Sequence, residues 1–196
     1  DNPGVANMPY GLIGFSFSAP HALALAAADE VRADIAGAVG FGGYCDLERT
    51  ITFMFTGRHE YQGKSYKLMP DPYGPWIVAA NYLTDIPGYE EASDIADGLR
   101  RLAALSGESP GVDARDPCYD AAKAKEREKI NPDRQSLFDF FAPLSGVQPD
   151  LAYAEDLGHK LAKAAISAEP KIQPFKALGE ISCPLHVLHG RNDNLI

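Results

Sequence analysis

The residues of this chain best suited to chemistry stand at Gly14-Phe15-Ser16-Phe17-Ser18, a small-x-Ser-x-small spacing. An apolar run, Tyr10 to Ile13, leads into it and reads as a buried strand. An alanine-rich segment, Ser18 to Glu30, follows and reads as a helix, with Pro20 tolerated in its first turn. A serine on so tight a strand-to-helix turn takes a strained backbone conformation and projects its hydroxyl outward. The residues two before and two after it must be small, and Gly14 and Ser18 are. The helix N-terminus then favours a developing negative charge, and the Phe17 N–H is a candidate oxyanion donor. Ser16 is thus a candidate nucleophile, the competing reading being a helix N-cap.

A serine nucleophile needs a histidine base, and the histidine needs an acid to orient it. The chain has five histidines. His21 lies inside the alanine-rich helix, one turn from Ser16, and reads as a packing residue. His59 falls in a loop after "TGR", and His159 on a solvent-facing helix. His186 and His189 belong to one strand-like run, with side chains expected on opposite faces, so they do not jointly hold a metal. No H-x-x-x-H or H-E-x-x-H is present, and no metal site is expected. Asp193, in "GRNDN", is the candidate acid, against a plain turn role. Asp46 is the alternative acid, against a helix N-cap before "LERT".

Ile35 to Phe41 is a second apolar run, ended by Gly42 and Gly43. Strand, helix and strand in that order make a βαβ unit, which implies a parallel sheet. The helix between them is apolar nearly all round and is expected to be buried on more than one side. After Asp46 the texture changes. Residues 57 to 75 carry loop signals such as "MPDPYGP". Helical patterns follow at Trp76–Leu83, Glu90–Leu105, Pro117–Ile130, Arg134–Phe141 and Leu151–Ser167. The alternating charges of "AAKAKEREKI" read as a solvated helix face. At Pro184 the texture reverts: Leu185 to Leu188 reads as a third parallel strand, with Asp193 in the loop after it. The fold class is α/β: a partial parallel sheet with a mostly helical insertion.

The elbow "GFSFS", the alanine-rich helix behind it and "CPLHVLHGRND" together resemble the α/β-hydrolase family. The family's common elbow is G-x-S-x-G, and Ser18 replaces its last glycine with another small residue. The match covers both ends of the chain and leaves residues 55 to 175 without a motif, where the family often carries a helical lid. The separation of Ser16 from Asp193 exceeds what a capless core needs by about the size of a lid. The resemblance implies a core over residues 1–54, a lid over 55–176 and a return to core over 177–196. It implies a serine hydrolase acting on a carboxylic ester or related acyl bond of a small-molecule substrate. Ser16 would be the nucleophile, Asp193 the acid and Phe17 an oxyanion donor, with Phe15 beside the substrate and no cofactor. The family's order is Ser, acid, His, and only Asn194, Leu195 and Ile196 follow Asp193. The catalytic His is therefore expected outside this chain, as is the second oxyanion donor, and the chain reads as an inactive fragment of a longer enzyme. Peptidase and acyl-transfer branches share the fold, as do non-catalytic binding proteins. A remaining reading is a helical domain whose βαβ unit makes the elbow by coincidence, which expects a buried Ser16.

Composition narrows the classes. Of 196 residues, 45% are hydrophobic and 23% charged, ordinary for a globular protein. A net charge of -9 argues against nucleic acid and against an anionic membrane surface. No apolar run reaches the length of a bilayer span. Cys45, Cys118 and Cys183 are far apart, form no C-x-x-C and are odd in number, which argues against a disulfide framework or a zinc cluster and points to a reducing, cytoplasmic setting.

Overall fold

The computed structural model describes residues 8–109, 111–147, 150–190 and 193. In chain order the elements are β1 (Tyr10–Phe15), α1 (Ser18–Ala27), β2 (Ile35–Phe41), α2 (Leu47–Thr56), β3 (Arg58–Tyr61), β4 (Lys64–Lys67), α3 (Tyr73–Tyr82), α4 (Ser93–Gly107), α5 (Asp120–Arg127), α6 (Gln135–Phe141), α7 (Leu151–Ala168) and β5 (Leu185–Leu188). The fold is mixed α/β, and the chain divides into two compact units. One is residues 48–168. The other is built from the segments before and after it.

The second of these is an α/β unit. Its sheet runs β1-β2-β5, with both pairings parallel. The register aligns Leu12 with Ala38, and Phe15 with Phe41 and Leu188. Because side chains alternate across a strand, Leu12 and Ala38 share a face, and α1 covers it. Ala26, Ile35 and Ala38 are buried there, with Leu12, Val31, Ile181 and Cys183 packed around them. Small residues let the helix approach closely. A Cβ at Gly14 would stand 2.5 Å from the Ser18 carbonyl oxygen and 2.6 Å from Ala19 Cα. On the opposite face, among the described residues, Ile13, Phe15, Phe41 and Leu188 are about half or more exposed.

Helix α1 corrects one expectation. It buries Ala19, Pro20, Leu23, Ala26 and Ala27, while His21 and Leu25 are exposed. Alanine demands little burial because its side chain removes little apolar area from water, so an alanine-rich helix is not thereby enclosed. The helix also ends early. Ala28 turns extended and donates its N–H to the Leu25 carbonyl at 3.1 Å.

The helical unit has its own core. Trp76 is fully buried, and its Nε1–H donates to the Phe141 carbonyl at 2.8 Å. Leu99 of α4 and Leu157 and Leu161 of α7 are likewise fully buried. Two features depart from the sequence reading. Residues 58–67, expected as loop, form an antiparallel hairpin, β3 with β4. Gln62 and Gly63 both take positive φ, 50° and 71°, which closes a two-residue turn of the kind that matches strand twist. The "AAKAKEREKI" helix is not merely solvated. Lys123 is 1% exposed, with Nζ donating to the Pro143 carbonyl at 3.0 Å and lying 5.9 Å from the Trp76 ring centre. Glu126 is buried and accepts from Arg101 Nε at 2.7 Å and Lys129 Nζ at 2.6 Å. Among the described residues, no helix is long and apolar enough to cross a membrane.

Candidate functional site

Ser16 occupies the junction of β1 and α1 with φ of +51°. Among the described residues, only Ser16 and Gln62 are non-glycine residues with positive φ, and Gln62 has the hairpin turn to explain it. The left-handed conformation costs an L-residue roughly 1–2 kcal/mol, so the surroundings must hold Ser16 in place. The Ser16 N–H donates to the Phe41 carbonyl at 2.8 Å, extending the β1–β2 pairing one residue. The Ser16 carbonyl accepts from the Ala19 N–H at 2.9 Å, starting the helix. The Ser18 hydroxyl accepts from the Phe15 N–H at 2.7 Å and donates to the Phe15 carbonyl at 2.6 Å. Ser18 therefore pins the turn, a service the glycine of the common elbow cannot give.

The Ser16 side chain is exposed. Its hydroxyl makes no hydrogen bond among the described residues, and neither does the Phe17 N–H. Two aromatic pairs flank it by sequence: Phe15 against Phe41, with ring centres 5.8 Å apart, and Phe17 against Tyr44 at 5.9 Å. The loop after β2 closes beneath the elbow. A side chain on Gly43 would overlap Ala19 Cβ and stand 2.9 Å from the Ser16 carbonyl oxygen.

Asp193 follows the C-terminal end of β5, as Ser16 follows that of β1. Gly42 N–H donates to the Leu188 carbonyl at 2.7 Å, so all three strands end at one level. In open parallel sheets ligands bind at that edge, and two strand spacings are about 10 Å. Asp193 is half-buried. Its N–H donates to the Gly190 carbonyl at 3.2 Å, and Oδ2 lies 3.9 Å from His189 Nε2. Sequence reasoning placed His189 on a strand and missed this pairing. The spacing His-x-x-x-Asp around a glycine turn was the available signal.

Asp46 is half-buried after β2, and its Oδ1 accepts from Gln173 Nε2 at 3.5 Å. Gln173 also takes the Leu47 N–H on Oε1 at 2.8 Å. Gln173 thus anchors the loop between β2 and α2, a role nothing local in the sequence signals. Of the remaining histidines, His21 is exposed on α1, and His186 pairs in register with Val39. His59 and His159 belong to the helical unit. There His59 stacks on Tyr66 with ring centres 5.2 Å apart, and His159 Nδ1 lies 3.5 Å from Glu48. No group of three or more His, Cys, Asp or Glu is placed to hold a metal ion among the described residues. Comparison of the chain with protein-family models, with curated proteins and with solved structures gives no match.

Proposed function

We propose that the chain carries the nucleophile and the acid of an α/β-hydrolase-type serine hydrolase that cleaves a carboxylic ester or related acyl bond. One observation carries the reading: Ser16 is exposed at a strand-to-helix turn with φ of +51°, backed by small residues on both sides. A coincidental elbow with a buried serine fits this poorly. In the proposed reaction Ser16 Oγ attacks the carbonyl carbon, and a histidine other than the five of this chain takes its proton. Asp193 orients that histidine and stabilises its charged form. The Phe17 N–H, with no partner among the described residues, receives the oxyanion. That histidine then gives the proton to the departing alcohol as the acyl-enzyme forms, and afterwards takes one from the water that releases the acyl group as a carboxylic acid and passes it back to Ser16 Oγ. The helical unit is the lid in this reading, and Phe15 borders the substrate.

A fluorophosphonate probe tests it on the full natural protein. Labelling is expected at Ser16, to vanish in Ser16→Ala, and to slow by about 100-fold or more in Asp193→Asn. Asp46→Asn is expected to leave it unchanged. Labelling that survives Ser16→Ala would overturn the nucleophile, and loss in Asp46→Asn with retention in Asp193→Asn would transfer the acid. A protein that never labels would favour the non-catalytic binding alternative.

A further inference from the structure

The helical unit contains a cavity of about 550 Å³, every lining residue of which belongs to that unit. Its walls are apolar, with Phe55, Phe140, Leu68, Met69, Val147 and Leu151 among them. Among the described residues the lining includes no carboxylate. Its charged members are both cations, Lys67 and Arg115. Its remaining polar member, Thr56, is already occupied: its hydroxyl donates to the Thr52 carbonyl at 2.7 Å and accepts from the Arg58 N–H at 3.2 Å.

The two cations differ in what they have left to give. Arg115 donates from Nε to Asp113 Oδ1 at 2.8 Å and from a terminal nitrogen to the other carboxylate oxygen. Its second terminal nitrogen has no bond among the described residues. The Lys67 ammonium has no ion pair or hydrogen bond among them. An apolar cavity whose unspent polar groups are all cationic selects one chemistry: an apolar body with an anionic head. At about 30 Å³ per non-hydrogen atom, the share a water takes in the liquid, the cavity holds at most roughly eighteen such atoms. That excludes a two-chain lipid and a fatty acid of more than about sixteen carbons, and a medium-length aliphatic carboxylate fits with room to spare. Burial of each methylene gives the hydrocarbon affinity, and the cations select the head.

We infer that this cavity binds a free medium-chain aliphatic carboxylate, with the hydrocarbon against Phe55, Phe140 and Leu151 and the carboxylate at Lys67 and Arg115. The inference does not rest on the role of Ser16, since no lining residue belongs to the α/β unit. Titration calorimetry with sodium decanoate and with decan-1-ol, on the full natural protein, tests it. Decanoate is expected to bind one per chain and at least about tenfold more tightly than the alcohol, since only the charged head is recognised. Lys67→Met is expected to erase most of that difference. Met69→Glu, which puts a carboxylate on an exposed lining position, is expected to weaken decanoate by at least about tenfold. Ser16→Ala is expected to bind as the unaltered protein does. Equal affinity for acid and alcohol, absence of decanoate binding, or binding unmoved by both lining substitutions would each overturn the inference.

Discussion

A serine at φ of +51° stands where glycine would be comfortable, and a glycine stands two residues earlier where no side chain fits. The two facts make opposite predictions. Gly14→Ala would drive a Cβ into the Ser18 carbonyl and Ala19 Cα, backbone atoms that cannot swing aside. It is expected to lower stability by about 1–3 kcal/mol, the usual range for overpacking. Ser16→Gly removes the left-handed penalty but adds chain entropy to the unfolded state. It is expected to change stability by no more than about 1 kcal/mol in either direction while ending any covalent labelling. Urea unfolding midpoints of the two variants check both. A large loss in Ser16→Gly would mean that the hydroxyl supports the turn rather than projecting from it.

At the scale of elements, α5 joins the core of the helical unit through a lysine. Burial pushes the Lys123 ammonium below its usual pKa of 10.5, and the nearby Asp120 carboxylate, at 3.7 Å, only partly opposes this. The unfolded chain then binds more protons than the folded one between the folded and the unfolded pKa. Lys123 therefore weakens the fold below its folded pKa, and the penalty is relieved as pH rises toward 10.5. The stability of the natural protein relative to Lys123→Met is expected to improve as pH rises between the folded and the unfolded pKa and to be flat below both. Paired urea titrations at pH values from neutral to alkaline measure it. A difference that stays constant would mean that the ammonium is solvated. The hairpin β3–β4 is joined from its surface instead: every residue of both strands is exposed, and His59 meets Phe53 of α2 with ring centres 5.6 Å apart.

The whole molecule combines two units of unequal cover. The helical unit encloses Trp76, Leu99, Leu157 and Leu161 completely. The α/β unit has a central strand paired on both sides. Local opening follows burial and pairing. Amides of β2 are therefore expected to exchange with solvent at least about tenfold more slowly than those of β5, which pairs on one side and buries no residue. Amides of α4 and α7 are expected to be protected at least as well as β2. Hydrogen exchange read by mass spectrometry tests the order, and a β5 as protected as β2 would contradict it.

Strand β2, strand β5, helix α7 and the elbow itself were legible in the sequence, because each is announced by neighbours in the chain. Apolar runs ended by glycine, alanine in quantity, and small residues two places from Ser16 are local signals. The sequence by itself determined that a serine sits at a strained strand-to-helix turn in an α/β protein, since that depends on which residues fit a tight turn. Tertiary structure alone decided the rest. It set Gln173 against Asp46 from more than a hundred residues away and brought Arg101 to Glu126. It also buried Lys123. The physical reason is common to all of these: charge, burial and hydrogen-bond partners depend on what comes near in space, and a side chain's own type and neighbours do not specify that.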